Sequence, residues 1–340
     1  MSYQIGMDAI NCKAPARLAH TEYCSNDPLR RAIIQKCGRG LEEEFECDFI
    51  WTVNDGPFNL TGRGRVTDMG HAEFMEGGVD KRQPKECPFK TVEEVWAFDA
   101  IREYGLPDFD ELVKSYENWY QTGQQANPTQ VHPGGYYNTI VSGAIRSFGW
   151  DMLLEAAANR KKFEKVLDAI FRYSLHFYRA QAKTSIKAFI CHDDMVWSEG
   201  PFMHPDIYRK VIFPRYAELW KPLRQAGIKL LFCSDAKYTM FIDDLLAAGA
   251  DGLIFEPMTD LDTVIAACGK THCIVGSKLD CRTLTFGTKA DIKREIDATL
   301  KVAKACPGFI FAVGNHIPSN VPVENGLYYL EYLREHWHRR

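Results

Sequence analysis

Five apolar runs in the C-terminal part of the chain each stop on residues that bind metals or move protons. "KAFICHDD" ends in His192-Asp193-Asp194, and "IKLLFCSD" in Cys233-Ser234-Asp235. "ADGLIFEP" reaches Glu256 before Pro257, "THCIVGSKLD" reaches Asp280 with Cys281 next, and "GFIFAVGNH" ends on Asn315-His316. Thiol, imidazole and carboxylate side chains are the usual ligands of divalent metals. Adjacent residues of an extended run point to opposite sides, so one of Asp193 and Asp194 is left to face a central cavity. Cys233 and Asp235 are two apart and share a side. Glu256 suits either a ligand or a helix entry. Asp280 and Cys281 oppose each other, so at most one of them serves. His272 and Cys273 come too early in their run and belong to packing. A lone histidine between a glycine and a proline, as His316 nearly is, ordinarily marks a turn. In the company of the other run ends it becomes a ligand candidate.

These ends meet only if the elements carrying them are arranged side by side. The runs are apolar throughout rather than alternating, as in parallel strands covered on both faces. Helical patterns separate them. "HPDIYRKVIFPRYAELWKPLRQAG" (residues 204–227) spaces Ile207, Val211, Ile212, Tyr216, Leu219 and Leu223 at helical intervals, and Pro214 should kink or break that helix. Alternating strand and helix imply a parallel sheet, open or closed into a (β/α)₈ TIM barrel. In a barrel all these ends open onto one mouth, where barrel enzymes place their active sites. "GGYYNTIVSG" reads as a further barrel strand. The N-terminal part, residues 1–128, is less regular than residues 129–340. Its "FECDFIWTVNDGPFNLTGRGRVTDMG" (residues 45–70) suggests a hairpin or lid, followed by helices. With no repeat and no low-complexity linker, residues 1–340 are expected to form a single barrel domain with an elaborated N-terminal hairpin and helical extension.

Composition narrows the partners. The 340 residues are 46% hydrophobic and 12% aromatic, enough for a sizeable core. A formal net charge of -4 without a dense basic run argues against nucleic acid. No stretch approaches the ~20 apolar residues of a membrane span. The N-terminal residues lack the apolar centre of a signal peptide. Eleven scattered cysteines, several inside apolar runs, are expected to be reduced core thiols of a cytoplasmic enzyme.

"DDMVWSEGPFMHPDIYRKVIFPRYAELWKPLRQAGIKLLFCSDA", "GADGLIFEP", "DCRTLTFGTKADIKREI" and "VPVEN" together resemble stretches of the uroporphyrinogen decarboxylase superfamily, over roughly residues 135–340. The resemblance implies a (β/α)₈ barrel and one of two chemistries. True uroporphyrinogen decarboxylases grip substrate carboxylates with an arginine-rich N-terminal stretch resembling "RQAGRY"; "KCGRG" here is a poor substitute. The other branch resembles zinc-dependent methyltransferases, which exchange methyl groups with a separate corrinoid protein. There a His-x-Cys pair and a distant Cys bind zinc, and the matching positions here are Cys233, Asp235 and the turn holding His316. The resemblance thus implies a Zn²⁺ site of Cys233, Asp235 and His316, with Glu256 as a further candidate. One thiolate in place of two makes such a site harder.

The expected function is a demethylase-type methyltransferase. It would pass a methyl group from a methylated small molecule, an aryl methyl ether being one candidate, to the cobalt of a partner corrinoid protein. Asp193 or Asp194 would place the substrate or supply a proton. The chain carries no Asp-x-His-x-x-Gly corrinoid motif of its own, so the corrinoid must come from the partner. The partner would dock over the mouth, beside the loop after His316 and residues 54–65. The alternatives are a decarboxylase of uroporphyrinogen type and a methylcobalamin:thiol methyltransferase.

Overall fold

The computed structural model describes residues 2–339 except 52–54, 59, 61, 71–81 and 84. Seven strands form one sheet: β1 (Ala19–His20), β2 (Gly134–Tyr136), β3 (Ala188–His192), β4 (Lys229–Cys233), β5 (Gly252–Ile254), β6 (Cys273–Gly276) and β7 (Phe309–Phe311). Every pairing is parallel, in the order β1-β7-β6-β5-β4-β3-β2. Residues 48–50 join the two edges. Asp48 N–H donates to the His20 carbonyl (2.7 Å). Val131 N–H donates to Asp48 (2.9 Å), and Ile50 N–H to Val131 (3.0 Å). With this eighth stave the sheet closes on itself as a (β/α)₈ barrel, leaving no open edge.

Strand residues divide by parity. Ala188, Ile190, Leu231, Cys233, Ile254, Val275 and Ile310 form a compact cluster, the barrel interior. Their neighbours Phe189, Cys191, Leu230, Phe232, Leu253, Ile274 and Phe309 pack outward in the main core under the helices. The first helix, α1 (Ser2–Ile10), sends Ala9 and Ile10 into the interior cluster and so plugs the N-terminal end of the barrel.

Three further helices matter to the mouth. α2 (Ile140–Phe148) follows β2 and ends at Gly149, whose φ of 74° breaks the longer helix its sequence suggests. α3 (Phe213–Gln225) is entered through a π-helical turn, Tyr208–Ile212, in which Phe213 N–H reaches back to the Tyr208 carbonyl. That wider turn accommodates Pro214, which has no N–H to donate. α4 (Val323–His336) lies across the barrel's β1–β7 side and packs Tyr329 against Phe311.

The hairpin expected over residues 45–70 falls in part on residues outside those described. Its first arm is the eighth stave, and residues 62–70 carry no strand. All eleven cysteines are free thiols, most of them buried. No helix among the described residues is long and apolar enough to cross a membrane.

Candidate functional site

Because Ala188 and Ile190 face inward, His192 and Asp194 must also face inward and Asp193 outward. Asp193 is fully buried beneath α2. Its carboxylate accepts the N–H groups of Val141 (3.0 Å) and Ser142 (2.5 Å) in the first turn of α2, and the Tyr216 hydroxyl (2.5 Å). This is a carboxylate at a helix N-terminus, where exposed N–H groups and the helix dipole favour it. Burial nevertheless lifts its pKa to about 6 against those bonds.

Asp194 sits at the mouth. It accepts the Tyr137 hydroxyl (2.8 Å) and the Asp235 N–H (3.2 Å), and lies 2.9 Å from His192 Nε2. The His192 ring is stacked on Tyr137 with centroids 4.2 Å apart, and its Nδ1 is buried without a hydrogen-bond partner. Burial first, and Asp194 second, hold the Tyr137 hydroxyl well above its ordinary pKa, so it donates as a neutral phenol. Tyr137 is fixed in turn by Asp55, a buried carboxylate accepting the N–H groups of Tyr137 (2.7 Å) and Asn138 (3.2 Å) and the Asn138 side-chain amide. Burial raises the Asp55 pKa to about 6.

From β4, Cys233 points into the barrel and Asp235 lies above it. Burial, then the neighbouring carboxylates Asp194 and Glu256, push the Asp235 pKa well up. Burial, then Asp235, Asp194 and Glu256, push the Cys233 thiol up as well, so without a cation it is neutral. Glu256 accepts the Ala236 N–H (2.5 Å) and the Asn315 Nδ2 (2.7 Å). Asn315 also donates to Asp235 (3.3 Å), so one amide bridges two carboxylates.

The "GNH" turn is built for this amide. A Cβ on Gly314 would overlap Pro257 Cδ, so only glycine fits. Asn315 then takes a left-handed φ of 66°, which asparagine tolerates better than most residues. His316 pairs through Nδ1 with the Asn315 side-chain oxygen and packs on Tyr23, ring centroids 5.6 Å apart.

The expected ligands therefore assemble differently from the sequence expectation. Asp235 is in the cluster, but it meets His192 and Asp194, with ligand atoms all within 4.8 Å of one another. No other His, Cys, Asp or Glu among the described residues forms such a group, so Cys233, Glu256 and His316 are not gathered with two further ligands. Cys233 lies beneath, Glu256 beside, and His316 turns toward Tyr23. An imidazole and two carboxylates at this separation suit a divalent cation bound through nitrogen and oxygen. Sequence reasoning placed His192 at a strand end without counting it as a ligand, although its parity with Asp194 was readable. Asn315 and Asp55 were missed as site residues, and nothing in their local pattern sets them apart.

Fold and site define a (β/α)₈ barrel with an acidic cluster at the C-terminal face. The chain matches the uroporphyrinogen decarboxylase (URO-D) family over residues 142–336, and it belongs to that family. A uroporphyrinogen decarboxylase of Thermus thermophilus is 29% identical over 181 residues, 53% of this chain and 50% of the relative. That of Carboxydothermus hydrogenoformans is 25% identical over 173 residues, 51% of this chain and 47% of the relative. The chain thus spans about half the length of the curated relatives it matches. A solved structure described as a methyltransferase from Methanosarcina mazei superposes with a TM-score of 0.66 at 15% identity, covering 98% of each chain. At that identity the likeness is one of fold, and it extends over β1, the stave at 48–50 and β2, which precede the matched family region.

Proposed function

We propose that the chain is a metal-dependent methyltransferase that takes a methyl group from a methylated small molecule and delivers it to the cobalt of a separate corrinoid protein. The observation that carries this reading is the gathering of His192, Asp194 and Asp235 at the barrel mouth, with Glu256 linked to Asp235 through Asn315. Carboxylates crowded in a shielded site repel one another, and a bound cation relieves that repulsion. They are the wrong inventory for gripping a polycarboxylate such as a porphyrinogen acid. The methyltransferase fold of the Methanosarcina protein supports the same direction.

A divalent metal held here, zinc being the one the sequence resemblance implies, would act as a Lewis acid on the heteroatom bearing the methyl group. The chain's own residues do the remaining work. Tyr137 and His192 orient Asp194, whose carboxylate faces the reacting end of the substrate at the mouth. Asn315 bridges Asp235 and Glu256, its amide donating a hydrogen bond to each. Asp193 holds α2 and takes no part in the chemistry. Tyr23, Trp197 and Met240 are exposed on the loops following β1, β3 and β4, at the rim where a corrinoid protein would dock.

The test is a screen of methylated aryl ethers, amines and thioethers with a Co(I) corrinoid protein, following the cobalt spectrum. Methyl-cobalt that forms only when this chain is present supports the proposal and names the donor. Release of CO₂ from a porphyrinogen acid, with no methyl-cobalt from any donor, returns the chain to the decarboxylases. Methyl passing from methylcobalamin to a thiol would reverse the direction of transfer.

A further inference from the structure

The resemblance implies a metal held between the ends of β4 and the last strand, with thiolate among its ligands. The arrangement of side chains argues for a different position and a different character. Ligands bound at 2.0–2.4 Å to one ion lie no more than ~4.8 Å apart. His192, Asp194 and Asp235 meet that limit. His192 is only 5% exposed; its Nε2 lies 2.9 Å from Asp194 within the cluster, and its Nδ1 is buried without a hydrogen-bond partner.

The β7 end, in contrast, is already engaged. Asn315 stands there, its amide nitrogen on Asp235 and Glu256 and its oxygen on His316. Glu256, bonded to Ala236 N–H and to Asn315, does not join the group of three ligand atoms that lie within 4.8 Å of one another. Cys233 packs with Leu231 and Ile254 beneath the carboxylates and does not join the group of three ligand atoms.

We infer that this chain's metal centre lies between β3 and β4, with His192, Asp194 and Asp235 as its protein ligands and without thiolate. Two carboxylates and one imidazole suit Mn²⁺, Fe²⁺ or Zn²⁺ and leave positions open for water or a substrate oxygen. This deepens the proposed function, which needs a cation at the mouth but does not say which residues hold it.

The experiment is Mn²⁺ binding by the full chain after chelator treatment, followed by the loss of the free-Mn²⁺ electron paramagnetic resonance signal. The wild type should bind one Mn²⁺, displaced by Zn²⁺. Asp194→Asn and Asp235→Asn should each weaken binding by at least ~10–100-fold, the loss seen when even outer-shell partners of metal sites are removed. Cys233→Ser and His316→Gln should bind within about threefold of wild type. Melting curves check that each variant is folded; if one Asp variant unfolds, the other carries the test. No Mn²⁺ binding by the wild type, unchanged affinity in a folded Asp variant, or a tenfold loss in Cys233→Ser or His316→Gln overturns the inference. Methyl transfer plays no part in this readout, so a chain that binds Mn²⁺ as described yet moves no methyl group keeps its ligand set and loses only the proposed function.

Discussion

Asp193 and Asp194 are chemically identical neighbours with opposite duties, because a strand turns each successive side chain to the other face. Asp193→Asn should leave two helix N–H groups and a phenol poorly matched in a buried setting. A stability loss of ~2–4 kcal/mol is expected, measured by urea unfolding. Asp194→Asn should unfold at nearly the wild-type urea concentration while losing ~100-fold in methyl transfer, the scale expected when a group supporting a metal site is removed. Asp55 gives a pH signature. Its folded pKa of about 6 lies above the ordinary carboxylate value, so the folded state holds its proton where the unfolded chain releases it. The associated stability is present below about pH 4 and is lost as pH rises through about 6. The wild-type advantage over Asp55→Asn should therefore shrink by up to ~3 kcal/mol between pH 4 and pH 7 in urea titrations. A flat difference would remove the buried-carboxylate account. At this scale the sequence revealed that chemistry gathers at strand ends, and parity separates Asp193 from Asp194. It did not reveal that Asn315 would sit where a ligand was expected, because a side chain's reach depends on the turn that carries it.

Among the elements, the long apolar runs of β3, β4 and β7 were legible because nearly every residue in them is buried. β1 has two residues and the eighth stave three, too few to show a period, and so the segment at 45–51 looked like part of a hairpin. The break in the helix before Gly149 and the π-helical turn before Pro214 are local responses to one residue each. The turn after β7 is the element on which the site depends most. Gly314→Ala would press a methyl group into the rigid Pro257 ring, and the turn must shift to relieve it. A cost of ~3 kcal/mol is expected, at the upper end of ordinary overpacking. The displaced Asn315 should also release Asp235 and Glu256. Melting temperature and Mn²⁺ affinity should both fall; an unchanged affinity would mean that the turn does not support the cluster.

At the scale of the whole molecule, closure by residues 48–50 and the plug of α1 leave one functional end to the barrel. The acidic cluster lies at that end, with exposed Tyr23 and Trp197 around it. Barrel architecture was expected from the alternation of elements, and family membership follows from residues 142–336. The direction of the chemistry rests on the charge of the mouth, which strand order alone brings together. The most direct test of the account is a single-turnover reaction: cation-loaded chain, a Co(I) corrinoid protein and the methylated donor that the screen selects, observed by the visible spectrum of cobalt. The account predicts that Co(I) converts to methyl-cobalt with the wild-type chain, and ~100-fold more slowly with Asp194→Asn. Cobalt left unmethylated by the wild type with every class of donor, while a porphyrinogen acid loses CO₂ in its presence, would contradict it.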